Sequence, residues 1–356
     1  MDTLTHALLG ALAVRAAFPA ARSRQALTDR QRMAVGAIAG AFPDIDYVAS
    51  WVDPVVYMTL WHRGITHSFV LLPLWALLVG VLLAWLFKQH RAWPFTSLLA
   101  GVAILSHILA DLITVFGTQV LAPLSGWRAS TGTTFIIDPW FSAIVLAGFI
   151  AGLSGKMRRL PRISLTLLAA YIGFQGLLKH QALSLADQRI AQEDLGDASA
   201  TALPQPASPF NWKLVIRDGD RYEVAYVNLA GGYRTDGTGE GFWNGIFTTY
   251  RAADKLAWKT YRRFGDHHSD YIRTLWENPQ LDYFRRFAEF PVLYRIDNRS
   301  DSHCVWFTDM RYVLPYMTPP FRYGLCRDRP SAAWKMKRLR SNNPGPIRHS
   351  PAGVVP

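Results

Sequence analysis

The sequence is poor in cysteine and in acidic side chains. Its only cysteines, Cys304 and Cys326, are too few and too far apart for a zinc ribbon. The 26 acidic residues are outnumbered by 38 lysines and arginines, giving a formal net charge of +12. Such basicity suits nucleic acid or anionic lipid, and the long apolar runs favour lipid. No basic stretch precedes the first apolar run, so we expect no cleavable signal peptide.

Apolar residues are concentrated in the first half of the chain. Residues 1–180 are rich in Leu, Ala, Val, Ile, Phe and Trp, whereas the rest resembles a soluble domain. A membrane-spanning helix needs about 20 mostly apolar residues. Three runs meet this requirement, namely 65–87, 96–115 and 135–153. Three further runs are shorter or interrupted, namely 3–18, 33–48 and 163–178. We therefore predict a mainly α fold, a polytopic helical membrane bundle of about six spans in residues 1–180.

Basic residues in the loops between these runs predict an orientation. They concentrate in alternate loops, at Arg22, Arg24, Arg30, Arg32, Lys88, Arg91, Lys156, Arg158, Arg159 and Arg162. The intervening loops carry only Arg63 and Arg128. By the positive-inside rule the basic loops face the cytoplasm. We expect a multi-pass protein of the bacterial inner membrane with a periplasmic C-terminal domain. If one short run is not a span, that domain faces the cytoplasm instead.

The second half predicts a small extramembrane domain. Residues 181–209 form a polar linker, and 210–327 form a mixed α/β or β-rich soluble domain. Two β-prone runs flank Asp218-Gly219-Asp220, which is typical of a hairpin. Further strands are predicted at 292–296, 303–307 and 310–314. Residues 328–356 read as a basic, disordered tail. Cys304 and Cys326 pair as a disulfide if the domain lies outside, or remain two free thiols.

Ionisable residues inside apolar runs are costly and usually mark function. They occur here in four clusters, each at the outward end of its predicted span: His6; Asp44 and Asp46; His62 and His67; His107 and Asp111. His107 and Asp111 are four residues apart, so on a helix they share one face and can bind one ion. Histidine and carboxylate ligands suit zinc, and also manganese or iron. We predict a divalent metal site, most simply zinc, held by these seven residues.

Each cluster also has a purely structural interpretation. His6 can bond a carbonyl oxygen inside the bundle, and Asp44 can cap a helix or begin a turn. His62 can be an exposed loop residue, His67 an interfacial residue of a first helical turn, and His107 with Asp111 an interhelical pair. All of these would have to hold independently, which favours one shared site. Asp138, before Pro139, is best explained as a helix N-cap.

The motifs resemble those of one family. They are Met1-Asp2-x-x-Thr5-His6, Pro43-Asp44-Ile45-Asp46, His62-Arg63-Gly64-x-Thr66-His67-Ser68 and His107-x-x-x-Asp111. In this order, over about residues 1–150, they resemble the YdjM-like inner-membrane proteins, which are described as metal-dependent hydrolases. The resemblance implies a helical membrane domain with that activity. The last motif is also similar to one in zinc-dependent phospholipase C enzymes, which raises the expectation of a phosphoester or lipid substrate.

The leading hypothesis is a membrane-bound metal-dependent hydrolase acting at the membrane surface. Asp44 or Asp46 would be the general base, and Arg63 would bind a phosphate or carboxylate oxygen of the substrate. Expected partners are membrane lipid and an amphiphilic or phosphoester substrate. The alternative is a non-catalytic membrane protein with a structural metal site. Nucleic-acid binding through the basic residues near 335–340 is less favoured than a solvated tail or lipid contact.

Overall fold

The computed structural model describes residues 1–19, 27–153, 159–233, 247–267, 269–299, 302–315, 317–329 and 331–339. The chain divides into two compact units. The helical unit comprises Met1–Lys179 with Pro206–Pro209, and the sheet unit comprises His180–Gln205 with Phe210–Pro356. Four of the basic residues used for the predicted orientation lie outside the described residues, namely Arg22, Arg24, Lys156 and Arg158.

The helical unit is built from helices joined by short helical turns and, between residues 113 and 138, by a longer irregular segment. Its α-helices are α1 (Thr3–Ala17), α2 (Asp29–Ala41), α3 (Pro54–Val56), α4 (Leu72–Leu86), α5 (Trp93–Leu112), α6 (Pro139–Leu153) and the first part of α7 (Leu160–Gln192). Between them lie the 3-10 segments Phe42–Trp51, Ile65–His67 and His90–Ala92 and the π-helical turn Tyr57–Trp61.

Local sequence signals explain where these helices begin and end. The Asp2 carboxylate accepts a hydrogen bond from the Thr5 backbone N–H and so caps α1. Thr28 and Gln31 form a reciprocal capping box at the start of α2. At the other end of α2, Pro43 disfavours continued α-helix in the residue before it, and the chain enters the 3-10 helix Phe42–Trp51.

The prediction of a six-span bundle is wrong. Among the described residues, one helical stretch, His90–Leu112, is long and apolar enough to cross a membrane. A second arises only if Pro54–His67 and Leu72–Leu86, bent by 74°, count as one broken span. The helices α1 and α6 have 15 residues each, about 22 Å at about 1.5 Å per residue, against about 30 Å of hydrocarbon. The prediction failed because hydropathy reports how apolar a stretch of sequence is. It does not report the turns that divide such a stretch into helices too short to span a membrane.

Helices α1 and α2 pack backbone to backbone. A Cβ atom on Gly36 would lie 2.7 Å from the carbonyl oxygen of Gly10. A Cβ atom on Gly40 would lie 2.7 Å from the carbonyl oxygen of His6. Glycines four residues apart allow this approach, as in helix pairs of membrane proteins. The packing brings the first turn of α1, with His6, to the end of α2 that leads into Asp44.

The sheet unit contains two four-stranded antiparallel sheets, with strand orders β1-β2-β3-β4 and β5-β6-β7-β8. The strands are β1 (Ser199–Pro204), β2 (Asn211–Asp218), β3 (Arg221–Asn228), β4 (Lys259–Arg262), β5 (Pro291–Arg299), β6 (Ser302–Asp309), β7 (Arg322–Arg327) and β8 (Lys335–Arg338). Helices α8 (Ser269–Trp276) and α9 (Asp282–Phe287) cover the second sheet through ring contacts such as Trp276 with Phe307. The predicted hairpin is confirmed, because Asp218 pairs with Arg221 and Gly219 has a φ of +55°.

Several boundaries differ from the prediction. The predicted linker 181–209 contains the end of α7 and all of β1. Residues 310–314 are not a strand, since Met310–Tyr312 form a 3-10 turn. The predicted disordered tail 328–356 contains β8, which pairs with β7, so the ordered part extends at least to Arg338. The residues after 339 lie outside the described part. Cys304 and Cys326 face each other across β6 and β7 and form a disulfide.

Candidate metal centre

All seven predicted ligands lie in one part of the helical unit. His6 belongs to the first turns of α1, and Asp44 and Asp46 to the 3-10 helix that follows α2. His62 and His67 lie on the segment before α4, and the last pair, His107 and Asp111, lies late in α5. Chain segments more than 100 residues apart in sequence therefore contribute to one cluster.

Four donor atoms of this cluster form a compact group. The Nε2 atoms of His67 and His107 are 3.0 Å apart. Oδ2 of Asp111 lies 3.3 Å from the first and 3.5 Å from the second. Oδ1 of Asp44 lies 3.7 Å from His107 Nε2 and 3.9 Å from His67 Nε2. Ligand atoms of a tetrahedral zinc site are separated by about 3.4 Å, so the separations among His67, His107 and Asp111 fit one ion, and Asp44 offers a further donor beside the two histidines.

His6 provides a further donor beside this group. Its Nε2 lies 3.2 Å from Oδ1 of Asp111, and its ring stacks on that of His107 with a centroid distance of 3.6 Å. His6, Asp44 and His107 offer donor atoms within 4.8 Å of one another. Among the described residues, the buried Nδ1 of His6 has no hydrogen-bond partner. The cluster thus has more donors than one tetrahedral ion requires.

Asp111 is oriented by two cationic groups. Its Oδ1 accepts from the N-terminal ammonium of Met1 at 2.6 Å and pairs with Nη2 of Arg63 at 2.8 Å. Its Oδ2, which is also buried, has no hydrogen bond within the described part of the chain. One oxygen is therefore saturated by the fold, and the other is directed at the two histidines.

Arg63 lies on the buried side of the cluster, away from the partly exposed Asp44 and His62. Its side chain is buried, with Nη1 donating to the Thr114 hydroxyl at 2.7 Å and the guanidinium over the Phe116 ring. Its backbone adopts a φ of +56° and donates from its N–H to Asp46 Oδ2 at 2.9 Å. The predicted contact of Arg63 with a substrate oxygen stays a prediction, but the geometry engages this guanidinium with Asp111.

The two histidines of the group are held in position through Nδ1. His107 Nδ1 lies 2.7 Å from the carbonyl oxygen of Gly40. Because a carbonyl only accepts, Nδ1 carries the hydrogen, which leaves a lone pair on Nε2 of the neutral ring. His67 Nδ1 lies 2.9 Å from the Thr66 hydroxyl. The facing Nε2 atoms can be satisfied by one shared proton or by a cation bound to both.

Asp46 and His62 form a separate pair next to the group. His62 Nδ1 lies 3.2 Å from Asp46 Oδ2 and 2.9 Å from the Tyr57 hydroxyl, which itself donates to Asp46. Burial acts to raise the pKa of Asp46, but the hydrogen bond from His62, electrostatic interaction with His62 and His67, and the hydrogen bond from the Arg63 N–H keep it lowered. Asp46 is therefore a carboxylate at neutral pH, and it orients the His62 ring so that Nε2 points away from it.

Of the seven predicted ligands, Asp44 and His62 are the most exposed within the described part of the chain. The side chains of His6, His67, His107 and Asp111 are essentially buried, whereas Asp44 is 17% exposed and His62 20% exposed. Access to the centre is therefore past Asp44 and His62. A second Asp44 oxygen, Oδ2, accepts from the Thr3 hydroxyl at 2.6 Å, so this carboxylate is also oriented.

Sequence reasoning missed several supporting groups. Thr3, Tyr57, Thr66 and the Met1 ammonium all contact predicted ligands, and no spacing signal pointed to them. Asp138 is the helix N-cap that was predicted, since its Oδ1 accepts from the Trp140 and Phe141 N–H groups. Its other oxygen accepts from Tyr171 and Gln175, so this carboxylate is satisfied within the fold.

The fold and cluster define a helical protein with a candidate metal centre and an appended sheet unit. The chain belongs to the YdjM inner membrane protein family, whose model matches residues 1–182. This confirms the resemblance read from the motifs, and the match contains all seven predicted ligands. The chain is also similar to a Bacillus subtilis (strain 168) protein described as "Uncharacterized protein YfhP", with 24% identity over 322 residues, 88% of this chain and 87% of that relative. This similarity extends into the sheet unit. No solved structure is significantly similar to the chain.

Proposed function

We propose that this protein is a metal-dependent hydrolase that acts at the membrane surface. One observation carries the proposal: donor atoms of His67, His107 and Asp111 lie 3.0 to 3.5 Å apart, and Asp44 Oδ1 lies 3.7 and 3.9 Å from the two histidines. Carboxylate and imidazole donors suit zinc, with manganese or iron as alternatives. Asp111 Oδ2, which the described residues leave without a hydrogen bond, supports a cation as the missing partner.

The charges of the centre favour a divalent cation. Asp44, Asp46 and Asp111 contribute three carboxylates, and the two ion pairs that the Arg63 guanidinium and the Met1 ammonium form among the described residues are both with Asp111. A cation bound at the four donors compensates the remaining negative charge. Uncompensated buried charge is costly, and binding such an ion relieves that cost.

The chemistry divides between the ion and the chain. A bound zinc ion lowers the pKa of water towards neutrality and polarises the scissile group. We assign proton transfer to His62, which Asp46 and Tyr57 orient and which lies at the open side of the centre. This carboxylate–histidine arrangement is a common way to prepare a general base. Asp46 acts through His62, and Asp44 holds the ion.

A phosphoester or lipid substrate fits the setting best. The family is described as inner membrane, and the helical unit exposes many large apolar side chains, for example Leu82, Trp85 and Leu109. A substrate with an apolar part is concentrated next to such a surface. The donors are mostly buried, with only Asp44 and His62 partly exposed among the described residues, which favours a small polar group, such as a phosphoester, over a folded macromolecule.

Binding and activity are tested together on the full-length protein in detergent. We expect the purified protein to retain zinc, the variants His67→Ala and His107→Ala to lose it, and His90→Ala, an exposed histidine of the turn His90–Ala92, to keep it. Phosphoester, lipid and peptide substrates are screened in parallel, with chelation and zinc return. Metal retained by both ligand variants would contradict the site.

The assignment of His62 has its own test. His62→Gln and Asp46→Asn should lower kcat strongly while leaving the metal content unchanged, because neither residue belongs to the four-donor group. A loss of metal in these variants equal to that in His107→Ala would make His62 and Asp46 ligands instead.

A non-catalytic structural metal site is the competing function. The burial of His67, His107 and Asp111 favours it, since structural sites are closed by protein ligands. The partial exposure of Asp44 and the oriented His62 favour catalysis. The structural role would be supported if the wild type and His90→Ala retain zinc, His67→Ala and His107→Ala lose it, and the wild type hydrolyses none of the three substrate classes.

The sheet unit is proposed to face the periplasm. Its disulfide between Cys304 and Cys326 supports an oxidising compartment, because cytosolic thiols are kept reduced. Thiol labelling in intact cells and in cells with a permeabilised inner membrane, each with and without prior reduction, tests this. Labelling of unreduced Cys304 only after permeabilisation would put the unit in the cytoplasm.

A further inference from the structure

Two short segments expose apolar side chains beside the metal centre. In the first apolar segment, residues 47–52, Trp51 and Val52 are 77% and 79% exposed. In the second apolar segment, residues 121–127, Leu124 is 79% exposed and Trp127 is 61% exposed. Neither segment contains a charged residue. Exposed apolar patches of this kind mark an interaction surface.

The second apolar segment is held firmly in its exposed position. The Ser68 hydroxyl donates to the carbonyl oxygens of Val120 and Ala122. On the far side, the Arg128 guanidinium donates to the carbonyl oxygens of Thr59 and His62. Within the segment, the Leu124 N–H donates to the Leu121 carbonyl oxygen. The exposure of Leu124 and Trp127 is therefore built into the fold.

Both segments adjoin the open side of the centre. The first lies on the 3-10 helix Phe42–Trp51, which also carries Asp44 and Asp46. The ring of its Tyr47 packs against Tyr57, which bonds His62. The second is tied through Arg128 to the backbone of His62 itself. A partner that covers the two apolar segments therefore lies next to the partly exposed side of the site, at Asp44 and His62.

We propose that the two apolar segments dock onto the surface of a lipid bilayer and hold the entrance of the metal centre at the level of the headgroups. Tryptophan is the side chain most typical of that interface, and uncharged apolar side chains beside it enter the acyl boundary. A lipid bilayer is the partner proposed for these segments because the family is described as inner membrane protein. The second part of the inference, which depends on the proposed function, is that the centre takes an amphiphilic substrate directly from this bilayer.

Docking is tested by spin labels on the full-length protein in vesicles of phosphatidylethanolamine and phosphatidylglycerol. Labels are attached at Val52→Cys and Leu124→Cys, with Asp266→Cys on an exposed position of the sheet unit as the control. The disulfide cysteines do not react with the label while they stay oxidised. We expect oxygen to relax the labels at 52 and 124 more than a water-soluble nickel chelate does, and the reverse at 266. Water-like behaviour at 52 and 124, or poor access of both reagents, which indicates a protein cover, would overturn docking.

Substrate delivery is tested with Trp51→Ser, Val52→Asp and Leu124→Asp combined. We expect hydrolysis of a vesicle-borne phosphoester to fall at least about tenfold, because apolar burial at the interface is lost. Hydrolysis of a water-soluble phosphoester and the zinc content should not change, which also shows that the variant folds. Equal loss on both substrates would overturn delivery. Docking by the spin labels without hydrolysis of any substrate by the wild type would leave the bilayer contact standing and reject the proposed function.

Discussion

Two buried carboxylates, Asp309 in the sheet unit and Asp111 in the helical unit, are satisfied by their surroundings to different degrees. In the sheet unit, Asp309 is fully buried, and both of its oxygens are bonded within the fold, to the Glu289 N–H and to the backbone and guanidinium of Arg311. In the helical unit, Asp111 is equally buried, but only Oδ1 is bonded by the described residues, while Oδ2 faces His67 and His107. A saturated carboxylate stabilises its fold, whereas a half-saturated one beside histidines indicates a missing ligand.

The sharpest test of this comparison substitutes the two aspartates in parallel. Asp111→Asn should weaken zinc binding more than about a hundredfold, since even indirect partners of metal ligands cost 10 to 100-fold. Asp309→Asn should keep zinc and lower the free energy of unfolding by about 3 kcal/mol or more, because it removes the buried carboxylate that pairs with the Arg311 guanidinium. Metal content and chemical unfolding of both variants are measured. Equal loss of metal in Asp111→Asn and Asp309→Asn would contradict the assignment of Asp111 as a metal ligand and of Asp309 as a structural carboxylate.

The disulfide is the next largest contribution, and it is confined to the sheet unit. Replacing both Cys304 and Cys326 by serine should lower the free energy of unfolding of that unit by about 3 kcal/mol, since it closes a loop of 22 residues in the unfolded chain. Zinc content should stay unchanged. Reduction of the wild type with dithiothreitol serves as the control and should reproduce the loss. A fall in zinc content would show that the two units depend on each other.

Glycine packing between α1 and α2 gives a smaller effect that belongs to the helical unit. Gly36→Ala would place a methyl group against the Gly10 backbone, so it should cost about 1–3 kcal/mol of stability. Gly173→Ala, on α7, would place its Cβ atom where, beyond its own helix, no atom of the described residues lies within 4 Å, so it should be neutral or stabilising by up to about 1 kcal/mol. Thermal unfolding in one detergent compares them. A destabilised Gly173→Ala with a neutral Gly36→Ala would refute the packing.

The last prediction is a pH dependence in the sheet unit. Lys213 is buried, donates to the carbonyl oxygens of Met310 and Val313, and has its pKa lowered by burial to about 7 from the ordinary 10.5. Between pH 7 and 10.5 the unfolded chain binds the extra proton, so stability should rise with pH, by at most about 1.4 kcal/mol per unit. Lys213→Met should flatten this slope between pH 7 and 9, and Lys337→Met, at an exposed position, should not.

Much of the centre was predictable from sequence because its ligands come in short motifs. Two of these patterns can be recognised without knowing the fold, namely the i,i+4 spacing of His107 and Asp111 and the short segment from His62 to His67. The pairing of Arg63 with Asp111 could not be recognised in this way, because the partners are 48 positions apart. An arginine beside two histidines suggests contact with a substrate instead. Family membership, which the motifs indicated, is confirmed.

The architecture was harder to predict because hydropathy does not record where helices stop. The predicted span 65–87 is broken before Leu72, where the Ser68 hydroxyl bonds carbonyl oxygens more than 50 residues away. The predicted span 33–48 ends in a 3-10 helix at Pro43. The hairpin at Gly219 was found because its signal is local: one turn dipeptide between two β-prone runs.

Gly40 connects three of the helices on which the ligands depend. Its carbonyl oxygen accepts from His107 on α5, its Cα faces Gly10, and the carbonyl of His6 lies where a side chain would be. The donors therefore converge only after α1 has closed onto α2 and α5 has docked. An ion bound there would act as a late cross-link in folding and would stabilise chains that are already correctly assembled. Metal retention during biosynthesis would thus report the quality of the folded bundle as well as its capacity for chemistry.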